Sequence, residues 1–395
     1  MKRLLGNVVL LAVATLSTLV LAEIGLRKFT PFPIHGERAN KVPDDDLGYR
    51  LNPRHKSIDE KGFRNSGDHP RLVAAIGDSH TYGSNVSSEK SWPAQFEELT
   101  DAPTYNFGVS SYGVYTYYAL ARKAIDAGYK HLIIALFIQN DFKGRGNACL
   151  IDFAGSPIWK SAVPMLDLTL PKCSANRQTL ATSKFGFWQR LLHPKRTFAT
   201  VSAIDYLVIR PMRDWWFFDT SGPETSDQNA LQAKRWGLIA QKEDHIRRGL
   251  VESDLSNPET LAIAQDFEKM LRHLKSLAGA RGVTLGVLLV PSKVRVAQAV
   301  IGDEQAFSRV PWMWEMSVNQ TQLEQRMLTY LEQEGIPSRS ALGEMIAAVG
   351  SDGETLTEVY RSDDGHPLAK GYLAYATAAE KLFQEMRARG PMASR

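Results

Sequence analysis

Cysteine is scarce in this sequence, with only Cys149 and Cys173 among 395 residues. No CxxC pair and no Cys/His cluster with metal-ligand spacing occurs, so we expect no metal site and no cofactor. If the chain is exported, the two cysteines can form a disulfide; otherwise they are two buried thiols. A bridge would close a loop of roughly 25 residues and contribute about 3 kcal/mol in the loop-entropy model.

A strong excess of one charge is also absent. The net charge is +4, charged residues make up 23% of the chain, and no dense Lys/Arg run is present. A nucleic-acid-binding protein usually has a basic face, so we expect no nucleic-acid partner. Hydrophobic residues account for 44% of the chain, which is enough to bury the core of one large domain with an insertion, or of two domains.

An uncharged apolar run long enough to cross a bilayer occurs at the N-terminus, where Lys2 and Arg3 precede residues 4–22. The basic start places the N-terminus in the cytoplasm and exports the remainder. We interpret residues 1–28 as a single-pass membrane anchor, with the following domain outside the cytoplasm. The alternative is a signal peptide cleaved after the small residues Val20 and Ala22, which would give a secreted protein.

Alternation of apolar strands with helices dominates the rest of the chain. The apolar runs 72–76, 131–138 and 283–290 are typical of buried parallel strands, and amphipathic helices separate them. This pattern predicts an α/β fold, a three-layer α/β/α sandwich with a mostly parallel, doubly wound sheet. The predicted segments are a linker at 29–70, a first part of the domain at 71–142, an insertion at 143–257 and a second part at 258–390.

The predicted insertion, residues 143–257, interrupts the alternation and contains five of the eight tryptophans. It also contains a basic and aromatic run at 210–218. The insertion is expected to cover a site or contact a membrane. The alternative is that its aromatic residues form a small core of their own.

Polar residues follow the predicted strands, where ligands of open α/β sheets bind. The four segments are Gly77-Asp78-Ser79-His80, Asn106-Phe107-Gly108, Gln139-Asn140-Asp141 and Asp363-Asp364-Gly365-His366. Together they contain the groups needed for acyl transfer. Ser79 is the predicted nucleophile, His366 is its base, and Asp363 is expected to fix the imidazole tautomer.

The same segments supply donors for an oxyanion. The backbone amides of Ser79 and Gly108 and the side-chain amide of Asn140 are the predicted oxyanion hole. Asp78 is expected to support the nucleophile loop, and His80 is expected to lie at the rim and contact substrate. Each residue alone could be a helix cap or a turn residue. Their joint order along the chain favours a catalytic site.

These motifs resemble those of the SGNH (GDSL-like) hydrolase superfamily. Gly77-Asp78-Ser79-His80 is similar to the first block, with His where Leu is more common, and Gly108 to the second. Asn140-Asp141 resembles the third block, although Ile138 replaces its usual Gly, and Asp363 and His366 resemble the Asp-x-x-His of the fifth. Three further segments resemble membrane-anchored bacterial members: Gly48-Tyr49-Arg50, Lys61-Gly62-Phe63-Arg64 and Pro291-Ser292-Lys293. This resemblance implies that the anchor lies in a bacterial inner membrane and that the domain lies in the periplasm or outside the cell.

The resemblance implies a serine esterase acting on acyl esters, with a polysaccharide, glycolipid or other lipid as the substrate. Some relatives with these features are O-acetyltransferases of exported polysaccharides, so an O-acyltransferase that uses a sugar hydroxyl in place of water is the first alternative. A non-catalytic glycan- or lipid-binding module is an alternative of another class, which the intact Ser79, Asp363 and His366 disfavour.

Overall fold

The computed structural model gives the conformation of most of the chain after residue 40. It describes residues 41–171, 251–361 and 364–390 except 56, 66–71, 144–145, 308–310, 351–352 and 354, together with isolated positions between 7 and 22. The chain divides into two units, and one of them, 41–179 with 226–395, contains nearly all of the described residues. Among these residues no helix has the length and apolar character needed to span a membrane.

A five-stranded parallel sheet forms the centre of this unit, and a two-stranded antiparallel hairpin precedes it. The hairpin strands are β1 (Lys41–Asp44) and β2 (Gly48–Leu51), and the sheet strands are β3 (Val73–Ile76), β4 (Thr104–Asn106), β5 (His131–Phe137), β6 (Thr284–Val290) and β7 (Ser338–Ser340). The sheet order is β4-β3-β5-β6-β7. The chain therefore leaves β3 in one direction and returns to its other side, which creates the switch point of a doubly wound sheet between β3 and β5.

Helices cover both faces of the sheet. They are α1 (Ser79–Tyr82), α2 (Trp92–Thr100), α3 (Val114–Asp126), α4 (Pro157–Leu166), α5 (Pro258–Ala280), α6 (Lys293–Ile301), α7 (Pro311–Gln333), α8 (Leu342–Val349), α9 (Leu356–Val359) and α10 (Ala369–Arg389). Helices α3 and α5 pack together and contact the sheet, while α2, α8 and α10 form a separate packed group that also contacts it. The predicted α/β/α fold class is confirmed.

The core beside α10 fixes the helix that follows His366. The rings of Phe96 on α2 and Phe383 on α10 meet edge to face with centroids 5.4 Å apart. Both are buried, and burying a phenylalanine side chain stabilises a fold by about 2–3 kcal/mol. The position of α10, and so of the loop immediately before it, is therefore set by the hydrophobic core.

Part of the segment expected to be a linker is folded. The β1–β2 hairpin lies within 29–70, and the buried Tyr49 of β2 donates through its hydroxyl to the Ser110 carbonyl at 2.7 Å. The Tyr112 hydroxyl donates in return to the Tyr49 carbonyl at 2.5 Å. The hairpin is thus bonded to the loop that follows β4, close to the carboxyl end of the sheet.

The described part of the predicted insertion packs on the same unit. Trp159 on α4 is fully buried, and its indole N–H donates to the Asp46 carbonyl at 2.8 Å. Cys149 is disulfide-bonded, and Cys173, the other cysteine of the chain, lies outside the described residues. The run 210–218 and most of 1–28 also lie outside them, so the roles of insertion and anchor stay predictions.

Candidate active site

The nucleophile turn connects β3 to the short helix α1. Ser79 is the first residue of α1 and is 8% exposed. Its amide lies in the first turn, where no intrahelical acceptor exists. Gly83 ends the helix in the left-handed conformation at φ 81°, which glycine adopts without steric cost. The sequence thus forms a tight strand–turn–helix that holds Ser79 at the carboxyl end of the sheet.

Three side chains form a continuous chain of hydrogen bonds at this edge. The Ser79 Oγ lies 2.8 Å from the Nε2 of His366. The Nδ1 of His366 lies 2.6 Å from the Oδ1 of Asp364. A hydroxyl, an imidazole and a carboxylate in this order are the arrangement that activates a serine for attack on an acyl carbon.

The carboxylate at His366 Nδ1 belongs to Asp364. Its Oδ1 also accepts from the backbone N–H of His366 at 2.9 Å. Burial alone would raise the pKa of Asp364, but the hydrogen bonds and positive charge of His366 hold it below its usual value. The sequence motif predicts Asp363 as the orienting acid; Asp363 lies outside the described residues, so its role remains a prediction. Asp364 lies two residues before His366 and Asp363 lies three. Either spacing can bring a carboxylate to the imidazole in a loop, so the sequence alone does not favour Asp364.

Asp78 caps α1 and bonds the nucleophile. It is 1% exposed, accepts from the backbone N–H of His80 at 2.8 Å and accepts from the Ser79 hydroxyl at 3.1 Å. Burial raises the pKa of Asp78, but electrostatic attraction and hydrogen bonds from His80, together with the attraction of His366, outweigh burial and lower the pKa to about 2. Asp78 is therefore a buried carboxylate in direct contact with Ser79, in the supporting position expected for it.

His80 is placed differently from the prediction. We expected it at the rim, but it is 2% exposed and its ring lies 3.8 Å, centroid to centroid, from that of Phe137 on β5. Its ring also lies 4.8 Å from the His366 ring, with the two planes inclined by 33°. Burial lowers the pKa of His80. The side chain points inward because the face of α1 that carries His80 packs on the sheet. The prediction that His80 contacts substrate at the rim is therefore wrong.

Gly108 lies against the nucleophile helix. A Cβ on it would come within 2.2 Å of the Tyr82 nitrogen and 2.5 Å of the Thr81 carbonyl carbon, so only glycine fits. Its N–H donates to the Oδ1 of Asn106 at 2.8 Å. The reason for glycine here is therefore close helix packing, and its amide is already occupied rather than open to an oxyanion as predicted.

Asn140 and Asp141 follow β5, next to the nucleophile strand. Asn140 is half-buried, and its Oδ1 is buried without a hydrogen-bond partner among the described residues. Asp141 accepts from the Phe137 N–H at 2.6 Å. Burial, and then the charge of Asp78, raise the pKa of Asp141 well above its usual value. No hydrogen bond between the described residues Asn140 and Ser79 is present, so the predicted oxyanion role of Asn140 stays a prediction.

Residues from the sequence before β3 hold the nucleophile helix from outside. The Arg64 guanidinium donates to the carbonyls of Tyr82, Gly83 and Val86 at 3.1, 2.9 and 2.8 Å. The Asn65 side chain accepts from the Asn106 N–H at 2.8 Å. Sequence analysis attached no role to Arg64, although its motif was noted. Charge alone could not identify it, because its partners are backbone carbonyls.

The loop carrying His366 has its own supports. Tyr360 and Pro367 form a β-bridge across its base, and the buried Lys293 donates to the Arg361 carbonyl at 2.7 Å. The Asn85 side chain donates to the His366 carbonyl at 3.4 Å. Lys293 belongs to the Pro-Ser-Lys segment noted in the sequence, and its contact suggests a structural reason for that segment.

No group of three metal-ligating side chains occurs among the described residues.

Comparison with known proteins gives distant likenesses to solved structures. No family model and no curated protein matches the chain. Among solved structures, the chain is similar to a protein assigned to the G-D-S-L family of lipolytic proteins from Desulfitobacterium hafniense DCB-2, with 11% sequence identity and a TM-score of 0.37. The alignment covers 79% of this chain and 99% of that one. A likeness at this level does not identify an activity, so function must be argued from the geometry of the site.

Proposed function

We propose that this protein is a serine-dependent acyl-ester hydrolase of the SGNH (GDSL-like) type. The observation that carries the proposal is the hydrogen-bonded chain from Ser79 through His366 to Asp364. An isolated serine hydroxyl is a weak nucleophile, and a base in hydrogen-bond contact is what activates it. Here the base is in contact, and a carboxylate fixes its other nitrogen.

The geometry supports a two-step reaction. The Ser79 Oγ attacks the ester carbonyl carbon while its proton passes to the Nε2 of His366, which then protonates the leaving alcohol. Water enters, loses a proton to the same nitrogen and releases the acid from the acyl-enzyme. Asp364 keeps the proton of neutral His366 on Nδ1 and stabilises the imidazolium formed in each step.

An oxyanion hole must complete this reaction. The Ser79 amide is the donor nearest to the attacking atom, and the side chain of Asn140 is the proposed second donor. The Gly108 amide could act as an oxyanion donor only if its hydrogen bond to the Asn106 side chain were broken. Loss of one such donor costs about 3 kcal/mol in transition-state stabilisation, so Asn140→Ala should lower kcat about 100-fold with little change in KM.

The test of the proposal is covalent labelling with a fluorophosphonate, from which the Ser79 Oγ would displace fluoride. The wild type should be labelled, with the modified peptide containing Ser79. Ser79→Ala should not react, and Ser87→Ala, which alters an exposed serine of the same segment, should react normally. Unlabelled wild type, or equal labelling of Ser79→Ala, would exclude this nucleophile.

We further propose that the enzyme acts outside the cytoplasm on O-acyl groups of a saccharide or lipid. Support comes from the basic start and uncharged run of residues 4–22 and from the disulfide at Cys149, since disulfides persist in oxidising compartments. Membranes washed with alkaline carbonate should retain the intact chain. Its release into the wash would contradict an anchor, and release of acetate from acetylated oligosaccharides would test the substrate class.

A further inference from the structure

The Ser79 hydroxyl has two acceptors and one proton. The Nε2 of His366 lies 2.8 Å from the Ser79 Oγ, and the Oδ2 of Asp78 lies 3.1 Å from it. Attack on an ester requires the proton to be directed at His366. A carboxylate is a strong, charge-assisted acceptor, so an uncompensated Asp78 would draw the hydroxyl proton away from the base.

His80 is the side chain that faces the other oxygen of Asp78. Its Nδ1 lies 3.4 Å from the Asp78 Oδ1, and both groups are almost completely buried. Neither ring nitrogen of His80 has a partner of good hydrogen-bond geometry among the described residues. Burying the two polar ring nitrogens of an imidazole there costs free energy. A hydrophobic side chain would fill the same space without that cost, so packing alone does not explain a histidine at this position.

We propose that His80 is a positioning residue: its N–H compensates the buried Asp78 carboxylate, which leaves the Ser79 proton directed at His366. The inference rests on the proposed serine hydrolase function and adds to it. The ring of His80 also lies 4.8 Å from that of His366, centroid to centroid, so the same side chain packs beside the base. Asp78 and His80 thus form a buried carboxylate–imidazole pair beside the pair of Asp364 and His366.

The protonation of Asp78 depends on every ionisable group that faces it. Electrostatic contact links it to His80 on α1, His366 in the catalytic loop, Asp141 after β5, Tyr49 on β2, Tyr117 on α3, and Tyr372 and Tyr375 on α10. Burial raises the pKa of each tyrosine, so they remain neutral through the range in which the enzyme can be assayed. Of these groups, His80 contributes most to lowering the pKa of Asp78.

Two substitutions separate the functions of the His80 ring. His80→Phe keeps an aromatic ring beside His366 but removes the N–H that faces Asp78. His80→Asn removes the ring but can place an amide N–H near the position of Nδ1. His131→Phe is the matched control, since it makes the same change at the start of β5, at the opposite end of the sheet.

The measurement is the second-order rate constant for fluorophosphonate labelling of the full chain between about pH 5.5 and 8, expressed as the ratio of wild type to variant. Taking the ratio at each pH removes any pH dependence that the two proteins share. At pH 8 we expect His80→Phe to be labelled about tenfold more slowly than the wild type. This is smaller than the roughly 10²- to 10⁴-fold loss expected on removing a general base, because His366 is still present. His80→Asn should recover most of that loss, and His131→Phe should give a ratio near one.

The pH dependence distinguishes compensation from simple structural damage. Without the His80 N–H, burial dominates and the pKa of Asp78 rises. As the pH falls, Asp78 in His80→Phe becomes protonated and stops competing, so the ratio should shrink towards one. A ratio that stays constant with pH, or a His80→Asn variant no better than His80→Phe, would overturn the role of His80 while leaving the Ser79 assignment intact. Absence of wild-type labelling would overturn both.

A double-mutant cycle tests whether His80 acts through Asp78. Asp78→Asn removes the competing charge, so His80→Phe should have much less effect in that background than in the wild type. Equal effects in the two backgrounds would show that His80 does not act through Asp78.

Discussion

The two halves of the candidate site are held in different ways. The nucleophile half is buried: Ser79, Asp78 and His80 are at most 8% exposed, and α1 is fixed by the sheet on one side and by Arg64 on the other. The acid–base half is a loop, in which the side chains of His366 and Asp364 are 28% and 34% exposed. The supports of this loop are mainly bonds to its backbone.

This difference predicts how each half responds to substitution. Changes on the nucleophile side leave buried polar groups without partners, so they should lower the free energy of unfolding as well as the rate. Changes in the loop leave groups that water can solvate, so they should lower the rate with little loss of stability. The comparison can be tested by measuring labelling rate and thermal unfolding for the same variants.

The largest effect is expected at the acid of the loop. Asp364→Asn should reduce kcat by about 10⁴-fold, because an amide no longer holds the Nδ1 proton and the imidazole can adopt the wrong tautomer. The unfolding temperature should change little. Asp363→Asn is the matched control, and it should retain most of the activity. A larger loss for Asp363→Asn than for Asp364→Asn would restore the assignment made from sequence.

The next effect belongs to the nucleophile half. Arg64→Met removes three hydrogen bonds to carbonyls at the end of α1 and just after it, so it should lower the free energy of unfolding by about 2–3 kcal/mol and also slow labelling. Urea unfolding measures the first change. Arg54→Met, at an exposed position of the same region, should change neither quantity. An Arg64→Met protein of normal stability would show that α1 is held by the sheet alone.

A smaller effect is expected where the loop is tied to the domain. Lys293→Met removes the donor to the Arg361 carbonyl but keeps the hydrophobic part of the side chain, so His366 should be displaced and labelling slowed about tenfold. Lys370→Met changes an exposed lysine on α10 and should leave labelling unaffected. Lys293→Arg, which retains a donor, should recover part of the rate. Equal rates for Lys293→Met and the wild type would contradict a positioning role.

The strand pattern and the order of motifs were sufficient to predict the parallel sheet and the pairing of Ser79 with His366. Apolar runs determine strands because both faces of a central strand are buried, and strand ends determine where polar side chains meet. The orienting acid could not be chosen from the sequence, because two adjacent aspartates precede His366 and a spacing of two residues suits a loop as well as a spacing of three. The inward position of His80 and the bond between Gly108 and Asn106 depend on packing between distant segments, which spacing does not encode.

The smallest effect concerns the buried carboxyl group of Asp141 on the nucleophile side. Its pKa in the folded protein lies well above the unfolded value of 3.8, because of burial first and the Asp78 charge second. A raised folded pKa gives stability that is fully present below the unfolded pKa and is lost as the pH rises through the folded pKa. Asp141→Asn keeps an acceptor for the Phe137 N–H and cannot ionise. It should therefore be more stable than the wild type near pH 8, and this gain should vanish near pH 4.

Urea unfolding at the two pH values measures this difference, and Asp126→Asn, an exposed carboxylate on α3, is the control in which no pH-dependent gain is expected. A gain of equal size at both pH values would mean that Asp141 ionises normally and that Asn merely packs better. A gain confined to the higher pH would show that the nucleophile half accommodates one carboxylate charge, that of Asp78, and keeps the second carboxyl group neutral. The exposed loop has no such restriction, because water and His366 together stabilise the charge of Asp364.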